Sequence, residues 1–331
     1  MKKKEFKFGS EFSIIMYLKT YMFLQQTELK GFVKTQNTFN ESTPCNIYFI
    51  LKRPRISLNP NYYKVNDNFL EIKYFIHVRE NKIEKTIKLP FKNLPKDILL
   101  ESEYPYNYFT LKAKNGDRNT YKLAVIIDET HKRQGEKEDL LDYEVLYIGQ
   151  AYGTNGKRTA MDRLPSHSTL QKIYSEAMSR NPDSEIWIML ASFEQNNIMS
   201  MNGMIDIPKE NEEMDLKRAV NFMTPQGSIF SEKQKVNFTE AGLIKTFLPL
   251  YNKEYKNTFP NPAHSSYSEC YKLDINSIVV ETDTRESRRW LYSDAKPRKK
   301  EGEIGTDYWQ HGLFHFVTED DRYKMFNYEY L

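Results

Sequence analysis

The sequence predicts an α+β protein with a β-rich first third. Residues 1–120 contain short apolar or alternating runs, such as residues 46–51 (NIYFIL), that prolines separate, and these runs are typical of strands. Residues 144–167 then give a short buried strand, a loop with Gly149 and Gly153, and a helix-forming segment. A hydrophobic fraction of 39% and a charged fraction of 28% fit a globular chain.

The 331 residues are enough for two domains or more. We expect a β-rich recognition or partner domain at residues 1–115, a catalytic domain at 116–275, and a C-terminal extension at 276–331. Within the second domain, residues 121–128 (YKLAVIID) predict a buried strand that pairs antiparallel with residues 143–149. Helices are predicted at 168–180 and 237–247 and a strand at 185–193, whereas the polar, Met-rich residues 194–230 indicate an irregular insertion.

Cysteine content and hydropathy predict the compartment. Cys45 and Cys270 are too few for a disulfide framework or a cysteine-rich zinc site, which favours a reducing cytoplasm. The N-terminus lacks a signal-peptide pattern, and no apolar run is long enough to span a membrane, so no membrane partner is expected. The net charge of +3 does not by itself indicate a nucleic-acid-binding protein.

Several polar residues supply the groups that phosphodiester hydrolysis needs. The reaction requires a positioned water, a cation beside the phosphate and often a metal held by carboxylate oxygen. Arginine matches two phosphate oxygens, and histidine can transfer a proton near neutral pH. The candidates are Tyr147, Lys157, Arg163, His167, Glu240 and Asn252.

The order of these residues resembles the GIY-YIG nuclease family. The matching motifs are Tyr147-Ile148-Gly149, Arg163-Leu164 followed by His167, Glu240-Ala241 followed by Leu243-Ile244, and Pro249 followed by Tyr251-Asn252. The resemblance covers roughly residues 121–257. It implies a small mixed three-stranded sheet with flanking helices, and metal-dependent cleavage of DNA.

The resemblance also implies roles for individual residues. Tyr147 would activate or orient the attacking water, Arg163 would hold the scissile phosphate, and His167 would transfer a proton. Glu240 would hold Mg²⁺, or Mn²⁺ in its place, and Asn252 would brace the site. Lys157 is a further candidate, because some restriction-type members have a lysine near the catalytic tyrosine.

The first half of the family motif, Gly-Ile-Tyr, is expected on the strand predicted at residues 121–128. The sequence there reads LAVII at residues 123–127, without an aromatic residue. Tyr121 and Tyr152 are the candidates to replace the missing tyrosine.

The C-terminal extension contains a basic segment with aromatic residues at 285–300. Such a segment is either a solvated surface or a contact for the phosphate backbone and bases of a nucleic acid. The nucleic-acid-binding candidates are Lys157, Arg158, Arg288, Arg289, Trp290 and Lys299.

These observations predict a metal-dependent DNA endonuclease, by analogy one of restriction or antiviral defence. The alternatives are a catalytically decayed nucleic-acid-binding protein on the same fold, and a nuclease that a protein or ligand activates through the N-terminal domain. A homodimer would be needed for symmetrical cutting of both strands by one site per chain.

Overall fold

The computed structural model describes residues 8–29, 38–91, 94–152, 160–164, 168–201, 207–224, 230–253, 256, 275–299 and 308–315. These residues form a mixed α+β fold around one curled seven-stranded sheet, with two small sheets beside it. The predicted α+β class is therefore confirmed. Within the described residues, no helix combines the length and apolar character that crossing a bilayer requires.

The large sheet takes its strands from distant parts of the chain. In spatial order the strands are β12 (Leu291–Tyr292), β9 (Tyr143–Gln150), β2 (Ile47–Pro54), β10 (Ser184–Met201), β1 (Ser10–Leu24), β11 (Ser277–Asp283) and β13 (Trp309–His315). Two neighbouring pairs, β12–β9 and β1–β11, are parallel, and the other pairs are antiparallel. Residues from all three predicted domains thus contribute to a single sheet.

The two small sheets lie in the chain between β2 and β9, and each is antiparallel. The first contains β3 (Ile56–Asn66), β4 (Phe69–Val78) and β5 (Asn81–Pro90), and the second contains β6 (Leu99–Glu101), β7 (Tyr108–Lys112) and β8 (Arg118–Lys122). Asn115-Gly116 connects β7 to β8, and Gly116 has a φ of 91°, which glycine adopts without strain. Asn-Gly between two strands is a typical sequence for such a hairpin turn.

Five helices are described. They are α1 (Leu123–Gln134), α2 (Ala160–Arg163), α3 (Ser168–Arg180), α4 (Lys209–Met223) and α5 (Glu232–Phe247). The helices predicted at 168–180 and 237–247 are confirmed as α3 and α5. Helix α5 begins five residues earlier than predicted because Ser231 and Gln234 form a capping box.

The prediction of a strand at residues 121–128 is wrong, because the chain forms helix α1 from Leu123 onwards. Its buried residues include Leu123, Ile127 and His131, which recur at helical spacing. Gly135, with a φ of 71°, ends the helix in the left-handed conformation. The predicted antiparallel partner of β9 is therefore also wrong, since β9 pairs with β2.

The prediction of an irregular insertion at residues 194–230 is wrong for most of the residues in this range that the structure describes. Strand β10 continues to Met201, and α4 occupies Lys209–Met223. Both elements pack on β1, which the sequence did not single out.

Both faces of the large sheet are covered. On one face, α5 buries Phe238 and Phe247 together with Phe49 of β2. On the other face, α2 and α3 bury residues such as Leu164 against Tyr48. Apolar surface buried on either face contributes about 25 cal/mol per Å².

The carboxyl group of Asp142 predicts a pH dependence of stability. It is buried, accepts a hydrogen bond from the Trp290 amide at 2.8 Å and lies 3.2 Å from Nε of Arg298. Burial raises its pKa to about 7, while the ordinary value of 3.8 applies to the unfolded chain. The folded state therefore binds this proton more tightly, and stability should fall as pH rises from about 4 through about 7.

We expect Asp142→Asn to remove that pH dependence and to stabilise the protein above pH 7, on the order of 2 kcal/mol. Asparagine keeps the acceptor for the Trp290 amide and carries no charge. Urea unfolding across this pH range measures the effect. Equal pH slopes for the parent and the variant would show that Asp142 does not titrate as described.

Candidate active site

Two tyrosines meet where β2 and β9 run side by side. Tyr48 of β2 lies opposite Gly149 of β9 in the antiparallel register, and Tyr147 is two residues before Gly149. The centroids of the two tyrosine rings are 6.2 Å apart. Tyr48 is fully buried, whereas Tyr147 is partly exposed, so the pair reaches from the core to the surface.

Gly149 allows this approach. A Cβ atom at Gly149 would overlap the Tyr48 hydroxyl and would lie 2.8 Å from Cε1 of Tyr147. The ring of Tyr48 is held in a packed core, so it has little room to move away. A residue with a side chain at position 149 would therefore displace the tyrosine pair.

We expect Gly149→Ala to destabilise the fold by about 1–3 kcal/mol, the usual cost of overpacking. Urea unfolding measures the loss. Gly9→Ala is the matched control, because its nearest contact would be Oδ2 of Asp215 at 3.4 Å, an ordinary contact. If both variants were as stable as the parent, the close packing of Tyr48 over Gly149 would be contradicted.

Arg163, the last residue of α2, lies beside the pair. The amide of Ala160, at the start of α2, donates to the carbonyl of Cys45 at 3.0 Å, which fixes this short helix next to the segment that enters β2. Nη1 of Arg163 donates to the carbonyl of Gln150 at the end of β9. The guanidinium is thus held where β9 ends and β2 begins.

Glu240 approaches from α5. Its side chain is 8% exposed. One turn earlier on the helix, Asn237 accepts a hydrogen bond from Nε2 of Gln150 at 2.9 Å, so α5 and β9 are joined directly beside Glu240. Helix α5 is therefore fixed to the end of β9 by a residue one turn before Glu240.

The surroundings of the Tyr48 hydroxyl raise its pKa. Burial is the largest influence and raises the pKa above its ordinary value; Tyr147 and Glu240 raise it further, while the charge of Arg163 acts in the opposite direction. Tyr48 is consequently protonated at neutral pH. Its hydroxyl can donate a hydrogen bond, but it is not a base in this state.

Asn252 fixes the backbone of β9. Its Oδ1 accepts from the Ile148 amide at 2.9 Å, and its Nδ2 donates to the Ile148 carbonyl at 2.8 Å. The preceding residue, Tyr251, donates its amide to the carbonyl of Leu146 at 3.0 Å. These bonds brace the peptide between Tyr147 and Gly149.

Glu240 is the carboxylate that the described residues bring to this site. Among the described residues, no group of three or more His, Cys, Asp or Glu side chains is arranged to hold a metal. Mg²⁺ is commonly held by one or two carboxylates together with waters and substrate phosphates, whereas a zinc site needs three or four protein ligands. Glu240 alone satisfies the first pattern.

The chain matches no known protein-family model, no curated protein and no solved structure. Its function must therefore be argued from the geometry of the site and from the motifs in the sequence.

Tyr48 is the site residue that the sequence motif did not identify. Asn46-Ile47-Tyr48 differs from Gly-Ile-Tyr only in its first residue and begins a strand that was predicted correctly. The motif is expected close to Tyr147 in the sequence, but residues 49–146 separate the two tyrosines. Neither suggested replacement lies beside Tyr147. Tyr121 packs on Phe91 and Phe109 in the small sheet, and Tyr152 packs against the hydrophobic cluster on the other face of the large sheet. The tyrosine beside Tyr147 is Tyr48.

The remaining candidates are only partly described. Lys157, Arg158 and His167 lie outside the described residues. In the basic segment, Lys299 is exposed and Nε of Arg288 donates to the carbonyl of Glu136 at 3.2 Å.

Two expected nucleic-acid contacts are not accessible. Arg289 is 1% exposed and its guanidinium is paired with Asp128, while Trp290 is 5% exposed and packs on Tyr308. Their side chains belong to the core, so neither can contact a nucleic acid in this structure. The basic composition of the segment therefore did not predict exposure, because Trp290 packs on an apolar ring and Arg289 is paired with a carboxylate.

Proposed function

We propose that this chain is a metal-dependent nuclease that hydrolyses phosphodiester bonds of DNA at the site around Tyr48 and Tyr147. One observation carries the proposal: Arg163 donates to the carbonyl of Gln150, and Asn237, one helical turn before Glu240, accepts from the Gln150 side chain, so both helices reach the end of β9 that follows Tyr147. A cation and a carboxylate beside two hydroxyl groups are the set that this hydrolysis requires.

Each residue has a role that follows from its position. Arg163 binds a phosphate oxygen, with its orientation fixed by the Gln150 carbonyl. Tyr147 is partly exposed to solvent and orients the attacking water. Tyr48, which is protonated, donates a hydrogen bond beside Tyr147. Glu240 would hold Mg²⁺, which when bound stabilises negative charge on the phosphate.

The sequence resemblance supports the same proposal. With Asn46-Ile47-Tyr48, both halves of the GIY-YIG motif have counterparts on neighbouring strands. We propose that the family's three-stranded core corresponds to β9, β2 and β10, although the pairs in this chain are antiparallel. The alternative of a catalytically decayed nuclease is based on the absence of a tyrosine for the Gly-Ile-Tyr half of the motif. Tyr48 supplies a tyrosine beside Tyr147, which weakens that alternative.

Incubation of supercoiled plasmid with purified protein in Mg²⁺, Mn²⁺ or EDTA tests the proposal. We expect nicked or linear DNA with either metal and intact plasmid in EDTA. DNA binding that weakens steeply with salt, without cutting in either metal, would favour a catalytically inactive binding protein. Cutting that begins only after cell extract is added would favour a partner-activated nuclease.

A role in restriction or antiviral defence is the biological part of the proposal, and it rests on analogy. Cells that express the parent should resist bacteriophage infection better than cells that express a Glu240→Gln variant. Equal plating efficiency on both would contradict this role without affecting the nuclease proposal.

A further inference from the structure

A group of lysines surrounds the C-terminal end of α5. Lys245 lies in the last turn of the helix, and its Nζ donates to the carbonyl of Lys256 at 2.8 Å. Lys253, which precedes Lys256 in the same segment, is exposed. We call these three lysines and Lys296 the basic patch.

Lys296 reaches the same end of the helix from a distant part of the chain. Oγ of Ser293 donates to the carbonyl of Phe247, the last residue of α5, and accepts from the Lys296 amide at 3.1 Å. Nζ of Lys296 donates to the carbonyl of His311 at 3.2 Å. The ammonium groups of Lys245 and Lys296 are therefore bonded to backbone carbonyls, which leave their positive charge in place.

The charge of the basic patch is largely uncompensated. Burial and the charge of Lys299 lower the pKa of the Lys296 ammonium, as expected where like charges gather. The exposed acid in this segment is Asp294, so the four lysines of the patch together with Lys299 and Asp294 carry a net charge of five minus one, or +4. Glu254 lies outside the described residues, and counting it leaves +3.

The patch continues into the tyrosine site along the edge of β9 that faces away from β2. Asn252, which bonds to both backbone groups of Ile148, directly precedes Lys253. On α5, Lys245 follows Glu240 by five residues, which is about 7.5 Å along the helix axis. Successive phosphates of one DNA strand are about 3.4 Å apart along the duplex axis. The patch therefore begins about two nucleotides from a phosphate at Glu240.

We propose that the basic patch binds the phosphate backbone of DNA and that the strand held there leads to the tyrosine site. The inference rests on the proposed function for its substrate, and it identifies where the DNA lies beyond the reacting phosphate. A lysine contacts a phosphate as a point charge and carries no sequence information. The patch thus contributes affinity and orientation, and it does not select a base sequence.

Binding of a fluorescent DNA duplex in EDTA, measured by anisotropy at several salt concentrations, tests the proposal without cleavage. The test variant is Lys253→Gln/Lys256→Gln/Lys296→Gln. We expect the slope of log K against log salt concentration to fall by about one for each lysine that contacts a phosphate, and by about three in all. The fall should be the same for duplexes of different sequence.

Two matched controls accompany this variant. Lys253→Arg/Lys256→Arg/Lys296→Arg keeps the charge and should keep the parent's slope. Lys96→Gln/Lys112→Gln/Lys114→Gln removes the same charge from lysines that are paired with carboxylates around the small sheets, and it should also keep the slope. The three single glutamine variants, each expected to lower the slope by about one, give the measurement if the triple variant does not fold.

Several results would overturn the proposal. They are an unchanged slope in the patch variants, an equal fall in the small-sheet control, and no DNA binding by the parent. Loss of binding to phosphatidylserine vesicles with unchanged DNA binding would assign the patch to a membrane surface instead.

The two proposals fail separately. If plasmid stays intact in Mg²⁺ and Mn²⁺ while the slope falls only in the patch variants, the nuclease proposal is wrong and the DNA contact stands. If plasmid is cut and the slope does not change, the patch does not bind DNA and the nuclease proposal stands. Where both hold, the triple glutamine variant should raise KM and leave kcat unchanged, because its contacts lie away from the reacting phosphate.

Discussion

Replacing Glu240 by glutamine is expected to reduce the rate of DNA cleavage in Mg²⁺ by at least about 10²–10³-fold, the size of effect that removal of one electrostatic catalytic group produces. The carboxylate is the acidic side chain that approaches the tyrosine pair from α5, and glutamine keeps its size while removing the charge that would hold a metal. Initial rates of plasmid nicking measure the loss.

The control for this prediction is Glu213→Gln, an exposed change on α4 that should leave the rate unchanged. Circular dichroism should show the same fold for both variants. A Glu240→Gln variant that cuts within about threefold of the parent would mean that Glu240 does not contribute a transition-state interaction of the usual size.

Asp128→Ala is expected to destabilise the fold by roughly 3–5 kcal/mol, because it leaves two buried guanidinium groups without their common partner. Nη1 of Arg53 donates to the Asp128 carboxylate at 2.8 and 3.1 Å, and Nη2 of Arg289 donates to it at 2.7 Å. Both arginine side chains are almost completely buried. The guanidinium carbon of Arg53 also lies 4.4 Å from the ring centroid of Trp187.

Urea unfolding near pH 7 measures this loss, and Glu213→Ala, which breaks an exposed pair on α4, should change stability little. Burial alone would raise the pKa of the Asp128 carboxyl, but Arg53 and Arg289 outweigh burial and lower it. Its stabilising contribution is therefore present above the unfolded value of 3.8 and is lost as pH falls through the folded value. A stability that stayed constant after Asp128→Ala would contradict the paired cluster.

Local sequence patterns predicted most single elements but not their partners. Residues 168–180, with an apolar helical face and a following Asn-Pro, formed the helix that such a pattern predicts. The run LAVII at residues 123–127 was ambiguous, because a short apolar run fits a buried strand or a buried helix. The deciding signals were Gly135 and the basic residues before it, which are typical of a helix end.

The candidate site was predictable to the extent that its residues occur in a recognisable order. Tyr147, Arg163, Glu240 and Asn252 were all named from the sequence. Tyr48 was not, since its relation to Tyr147 is a cross-strand contact between segments that are far apart in the chain. The burial of Arg289 was equally inaccessible to sequence reasoning, because it depends on Asp128 of α1, a helix that had been predicted as a strand.

The position of β1 has a consequence for how the chain is made. This strand is synthesised before its neighbours in the sheet, which are β10 at Ser184–Met201 and β11 at Ser277–Asp283. Until the ribosome has released both, β1 keeps an apolar strand edge unpaired, which is a known cause of aggregation. Contacts this distant in sequence also slow folding. The nascent protein should therefore depend on chaperones, and the site around Tyr48 and Tyr147 is not complete before Glu240 and Asn252 have emerged.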